Sequence, residues 1–207
     1  MAEGEIKAGQ VKDLRARTGV GIMDCKKALA ETSGDIEKAV RFLREQGLAS
    51  AKKRQEKTAE QGIVESYIHL GQQIGVLVEV NCETDFVARN EEFQKLAHLV
   101  AIQIAAVNPA YLDRETVPAG VVESELAIYR ARCEADGKPE KVWDRIINGM
   151  LEKFYGDVCL LEQPFVKDPS LTVGELVARS AAKMGEKIEI RRFIRYQVGE
   201  NKEKAVG

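Results

Sequence analysis

A chain of 207 residues with 44% hydrophobic and 31% charged side chains has the make-up of a globular protein in water, long enough to bury a real core. Its 31 basic and 33 acidic residues leave a net charge of -2, so no overall field draws it to nucleic acid or to an anionic membrane. No apolar run approaches the roughly 18 residues of a membrane span. The start "MAEGEIKAGQVKDLR" has neither the basic end nor the apolar stretch of an export signal, so a cytoplasmic protein is expected.

The first fifty residues read as three short helices. Val11 and Leu14 belong to the first, which "TGVG" at Thr18 to Gly21 stops. In the second, Ile22, Cys25, Ala28 and Leu29 recur at helical spacing up to "SGD", where Asp35 caps a third helix. Ile36, Ala39, Val40 and Leu43 make the stripe of that third helix, and Gly47 stands at the usual place to end it. Ile22 and Met23 are neighbours and point about 100° apart, so one helix face does not hide both. Either one of them is exposed for a partner or the core there is wider than usual.

Residues 48–61, "LASAKKRQEKTAEQ", are charged and alanine-rich, the pattern of a solvated helical linker. Lys52, Lys53, Arg54 and Lys57 also invite a nucleic-acid reading, but Glu56 and Glu60 dilute them and no aromatic side chain is interleaved for stacking. From Gly62 the period changes. "IVESYIHL" and "IGVLVEVN", joined across Gly71 to Gln73, predict an antiparallel hairpin with Ile74, Val76, Val78 and Val80 on one face. A helix capped by Asn90, with Glu91 and Glu92 at its positive end, covers that face through Phe93, Leu96, Ala97, Val100 and Ile104. Asn108 and Pro109 end it. The connection between strand and helix, "CETDFVAR", is where functional residues tend to sit, and it holds a carboxylate and a large aromatic side by side, Asp85 and Phe86.

Two further helices predict an antiparallel hairpin at about 118–156, with Val122, Leu126, Tyr129 and Cys133 on one and Trp143, Ile147, Met150 and Phe154 on the other. "SLTVGEL" contains a capping box, Thr172 with Glu175, and a hydrophobic staple, Leu171 with Leu176. That helix stops at Gly185. "KIEIRRFIRYQV" then reads as a third strand with Ile188, Ile190, Ile194, Tyr196 and Val198 on one face.

Conventional catalytic chemistry finds little footing. Cys25, Cys82, Cys133 and Cys159 are far apart with no C-x-x-C pair, and His69 and His98 are the only histidines. There is no dinucleotide fingerprint, phosphate loop or nucleophile elbow. No cofactor, no metal and no enzyme activity are expected, and the competing idea of a thiol-dependent enzyme rests on these scattered cysteines alone.

"LRARTGVGIMDCKKAL" (Leu14 to Leu29) and "EVNCETDFVAR" (Glu79 to Arg89), together with "GDIEKAV", "EQPFVKD" and "RRFIRYQVG" in the same order, resemble the elongation factor Ts family over nearly the whole chain. The resemblance implies an α+β protein: a ubiquitin-associated-like three-helix docking domain at 1–47, the linker at 48–61, and a dimerisation core at 62–199 with the helical hairpin inserted. A flexible tail at 200–207 follows. It also implies a guanine-nucleotide exchange factor for elongation factor Tu, bound in its GDP and nucleotide-free states, working in the cytoplasm as a homodimer with no direct contact to nucleic acid or membrane.

By the same resemblance Thr84, Asp85, Phe86 and Val87 enter the partner's GTPase domain near its nucleotide. Phe86 wedges between helices and Asp85 disturbs the groups that hold magnesium. Leu14, Val20, Gly21, Ile22 and Met23 dock on a helix of that domain. Met150 and Glu152 stand where relatives often carry basic residues. A ubiquitin-associated-type adaptor without exchange activity is the alternative, and it leaves the 150 remaining residues without a task.

Overall fold

The computed structural model describes residues 6–18 and 20–200, and for 48–55 the backbone alone. It is an α+β protein with two separate groups of buried side chains. The smaller group belongs to three helices, α1 (Ala8–Thr18), α2 (Ile22–Glu31) and α3 (Ile36–Gln55). Leu14, Cys25, Ala28, Leu29, Ala39 and Leu43 meet there, the positions that helical spacing selects. Asp35 accepts a hydrogen bond from the Lys38 N–H at 3.0 Å and so caps α3.

Two expectations fail in this part of the chain. Gly47 does not end α3, which runs on to Gln55. A glycine inside a helix costs about 1 kcal/mol, and the alanine- and lysine-rich run that follows favours helix enough to offset it. Ile22, counted with the stripe of α2, is half exposed at the first position of the helix. The linker is thus helical to Gln55, and a turn and irregular chain lead on from there to Glu60. The side chains of Lys52, Lys53 and Arg54, and the tail beyond Glu200, lie outside the described residues.

The larger core is built on a three-stranded antiparallel sheet in the order β1 (Gln61–Ile68), β2 (Ile74–Cys82), β5 (Ile188–Gln197). Val76, Val78 and Val80 of β2 face α5 (Glu91–Val107), whose Phe93, Leu96, Ala97, Val100, Ala101 and Ile104 are all buried against them. Phe93 is fully buried, and cutting such a ring back to alanine costs about 3–5 kcal/mol. Asn90 caps α5 through the Glu92 N–H at 2.8 Å, and Asn108, at φ 51°, closes it in the left-handed conformation. At Gly62 (φ 150°) the strands come so close that a Cβ would lie 2.2 Å from the Val80 carbonyl oxygen.

The third strand corrects the alternation expected for it. Glu79 pairs with Arg192 but Val80 with Ile190, so Arg191 is an extra residue in a bulge. Beyond it the faces exchange. Ile188, Ile190 and Phe193 point to the core, whereas Ile194 sits opposite Leu77 and Tyr196 opposite Gly75 on the other face. Val198 lies past the strand and is exposed. The outer face of the sheet therefore carries Val64, Ile68, Leu77 and Tyr196, all among the exposed large apolar side chains.

The hairpin of α6 (Ala119–Ala135) and α7 (Trp143–Val158) is an insertion whose two ends are pinned together. The Leu160 and Leu161 N–H groups donate to the Tyr111 and Leu112 carbonyls at 2.9 and 3.0 Å. Arg114 holds both Glu152 oxygens at 2.7 Å, reaches Glu162 as well, and stacks on the Tyr155 ring at 4.6 Å. The guanidinium holds the Glu152 carboxyl below the usual carboxylate range. Glu152 is thus engaged within the chain.

A short pair, β3 (Pro164–Phe165) and β4 (Asp168–Thr172), follows and is tied to α5 by buried Gln103, which accepts from the Val166 N–H at 2.8 Å. Helix α8 (Val173–Met184) begins at the expected capping box, with Thr172 and Glu175 each accepting the other's backbone N–H. It ends at Gly185 with φ 76°.

Candidate partner-binding site

Two turns carry the residues singled out in the sequence. In the first, β2 runs out at Cys82 and the chain makes a single helical turn, α4 (Asp85–Ala88), that local periodicity did not announce. Four residues are too few to show a 3.6-residue pattern. Thr84 is its N-cap and accepts from the Val87 N–H at 3.3 Å. The turn has two sides. Val87 and Ala88 are buried in the main core, while Phe86 is 79% exposed. An aromatic ring of that size left in water is costly, and the buried residue beside it fixes which way it points. A core plug is excluded for Phe86.

Asp85 lies next to it, also exposed, and pairs with Arg89 one turn on at 3.1 Å. A pair so open to solvent contributes little to stability, so the carboxylate is available at low cost. Thr84, Asp85 and Phe86 form one projecting surface, and Val87 anchors it from below. Beneath the turn, the Cys82 thiol donates to the Thr84 carbonyl at 3.1 Å. Burial, and then the Glu186 carboxylate, push that thiol up, the reverse of what a nucleophile needs.

The second turn joins α1 to α2. Ile22 is 53% and Met23 75% exposed, so both neighbours face solvent and the wider core considered from their spacing is not formed. Val20 and Gly21 precede them, and Gly21 is the N-cap of α2 without any side-chain hydrogen bond. Leu14 departs from its expected role. It is fully buried among the three helices and has no surface to press on a partner. Its spacing from Val11 and its place one turn before the loop fit a core position as well as a contact, and a pattern of spacing does not separate the two.

All four cysteines are free and buried. Burial raises the Cys159 thiol to about 11. His98 is paired with Glu65 at 2.8 Å and His69 with the Tyr67 hydroxyl at 3.0 Å. Among the described residues no group of three or more histidine, cysteine or acidic side chains is placed to hold a metal, and no helix is long and apolar enough to cross a membrane.

The family model described as Elongation factor TS matches residues 27–200. The chain belongs to the elongation factor Ts family. An elongation factor Ts of Desulforamulus reducens is 56% identical over 200 residues, spanning 97% of this chain and 92% of the relative. Those of Moorella thermoacetica and Caldanaerobacter subterraneus are 57% identical over 195 residues and 56% over 199, and cover 96% and 100% of the relatives' lengths. The matched lengths reach beyond the family model's start and take in most of the N-terminal helices. Membership makes the chain a translation elongation factor, a protein of protein biosynthesis.

Proposed function

We propose that this chain is the guanine-nucleotide exchange factor for elongation factor Tu, acting in the cytoplasm on the GDP-bound partner and passing through a nucleotide-free complex. The observation that carries the reading is Phe86: a 79% exposed ring on a capped turn whose other side is locked into the core, with an exposed carboxylate next to it. Inserted beside the nucleotide of the partner, the ring separates helices, and Asp85 repels or displaces groups around the magnesium ion. That ion and the phosphate-binding loop neutralise the phosphates of GDP, so disturbing both loosens the nucleotide. The coupling is reciprocal, and GTP rebinding expels the factor with the same free energy. No bond is made or broken, which makes the factor a catalyst of exchange rather than an enzyme with reacting groups of its own.

Ile22 and Met23, with Val20 and Gly21, supply the docking surface in this reading. The three-helix bundle, the linker and the sheet domain work as separable parts, with no direct contact to nucleic acid or membrane. The factor acts as a homodimer, for which the apolar outer sheet face, Val64, Ile68, Leu77 and Tyr196, is suited as a self-complementary surface. The adaptor alternative accounts for the bundle but leaves the exposed Phe86 without a role.

The decisive experiment is release of fluorescent GDP from elongation factor Tu with and without this chain. Strong acceleration is expected, and binding without acceleration would leave only the adaptor. Sedimentation at micromolar concentration addresses the dimer. A mass of one chain would refute it.

A further inference from the structure

The turn that carries Phe86 is held from a distant part of the sequence. Glu186 follows Gly185, just past the C-terminus of α8, where a carboxylate faces the negative end of the helix and is locally unfavourable. Its contacts offset that cost. Oε2 accepts from the backbone N–H groups of Glu83 and Thr84, both at 3.1 Å, and Oε1 accepts from the Thr84 hydroxyl at 2.6 Å. The clasp is returned by Glu83, whose Oε1 accepts from the Lys187 N–H at 2.6 Å and whose Oε2 pairs with Lys57 at 2.7 Å. The Lys187 ammonium then donates to the Lys57 carbonyl at 3.0 Å. Three segments meet here: the end of the linker, the end of β2 and the start of β5.

The hydroxyl of Thr84 has one proton to give, and an ionised carboxylate only accepts. With the proton committed to Glu186, a lone pair of the same oxygen is left facing the Val87 N–H, the cap of α4. Glu186 therefore sets the polarity of the cap as well as the place of the backbone before it.

Resting on the exchange reading above, we propose that Glu186 is a positioning residue for nucleotide exchange: acting through Thr84, it presets the turn from which Asp85 and Phe86 project, so that the partner's binding energy is not spent on ordering it.

The test measures fluorescent GDP release from elongation factor Tu over a range of factor concentrations, for the wild type, Glu186→Ala, Glu186→Gln, Thr84→Val, Phe86→Ala and the double variant Glu186→Ala/Thr84→Val. Glu186→Ala is expected to lower the saturating rate about tenfold, with the half-saturating concentration within about twofold of wild type. Glu186→Gln keeps an oxygen for the two N–H groups but turns an amide toward the Thr84 hydroxyl, and its rate should fall only about threefold. Glu186→Ala and Thr84→Val share the Thr84–Glu186 bond, while Thr84→Val alone also removes the α4 cap, so the double variant should lose less than the product of the two single losses.

A wild-type saturating rate in Glu186→Ala, with Phe86→Ala slow, overturns the positioning role and leaves the exchange reading standing. A wild-type rate in Phe86→Ala as well overturns the reading itself. Rate losses that multiply in the double variant, or a change confined to half-saturation, also overturn the proposal. If circular dichroism shows that Glu186→Ala does not fold, Glu186→Gln decides, and a wild-type rate there is the overturning result.

Discussion

The two turns that face outward are built on opposite plans. Both expose large apolar side chains, Phe86 on one and Ile22 with Met23 on the other, and both have a buried thiol beneath them that donates to a loop carbonyl. Under Phe86 the support is dense: a threonine cap, two buried neighbours and the Glu83–Glu186 clasp. Under Met23, among the described residues, it is sparser. The Val20 N–H reaches the Thr18 hydroxyl at 3.4 Å, the Cys25 thiol reaches the Val20 carbonyl at 3.5 Å, and α2 starts without a side-chain cap. On the exchange reading proposed above, the difference fits a division of labour. A wedge has to keep its shape while it pushes, whereas a docking surface is able to adapt as it settles.

That contrast is breakable. Phe86→Ala has the largest expected effect, a loss of about 2 kcal/mol or roughly thirtyfold in coupling to nucleotide. Because the ring is exposed, the melting temperature should stay at the wild-type value, and a large drop measured by circular dichroism would return Phe86 to the core. Next in size, the pair Ile22→Ala and Met23→Ala should raise the half-saturating concentration about tenfold and leave the saturating release rate alone. A fall in the saturating rate would erase the division between wedge and dock.

Thiol labelling sharpens the same comparison from below. At neutral pH Cys25 should react severalfold faster than Cys82, since the looser turn opens more often. Equal rates would mean that the clasp adds no local stability. The pH direction follows from burial. The thiols of Cys82 and Cys159 are raised in the folded state, so the stability they contribute is complete below the unfolded value near 8.5. It is lost as pH rises, for Cys159 through about 11. Urea midpoints measured from neutral to alkaline pH should fall accordingly. The smallest effect is reserved for Thr172→Ala, which removes half of the capping box at α8, remote from both turns. It should cost about 1 kcal/mol of stability, read as a lower urea midpoint, with GDP release unchanged.

Much of the fold was legible because it is local. The stripe of α5, the Asn90 cap, the Thr172–Glu175 box and the alternation of β2 each lie within a few turns or a few strand residues, where period and capping chemistry decide the outcome. What escaped was set by packing between distant segments. The bulge at Arg191 moves Ile194 and Tyr196 to the outer face, and nothing in "IRRFIR" marks the extra residue. Leu14 reads as contact or core from its spacing, and only the assembled bundle separates the two. The Asp85–Phe86 pair was visible as an oddity at a turn, and resemblance gave it a role. Glu186, 102 residues from Thr84, left no local signal at all.

The sheet order has a consequence for how a cell makes this protein. β1 and β2 are neighbours in sequence and can pair as soon as both have left the ribosome, whereas β5 completes the sheet from the far end of the chain. At about 5–20 residues per second, the 102 residues between Thr84 and Glu186 take on the order of 5–20 seconds to synthesise. Throughout that interval β2 has an open edge and the turn after it lacks its clasp, with the aromatic ring already outside. A nascent chain stalled at residue 185 should therefore be cut by trypsin after Arg89 much faster than the released protein, and equal protection in the two would mean that α5 alone is enough to fold the turn.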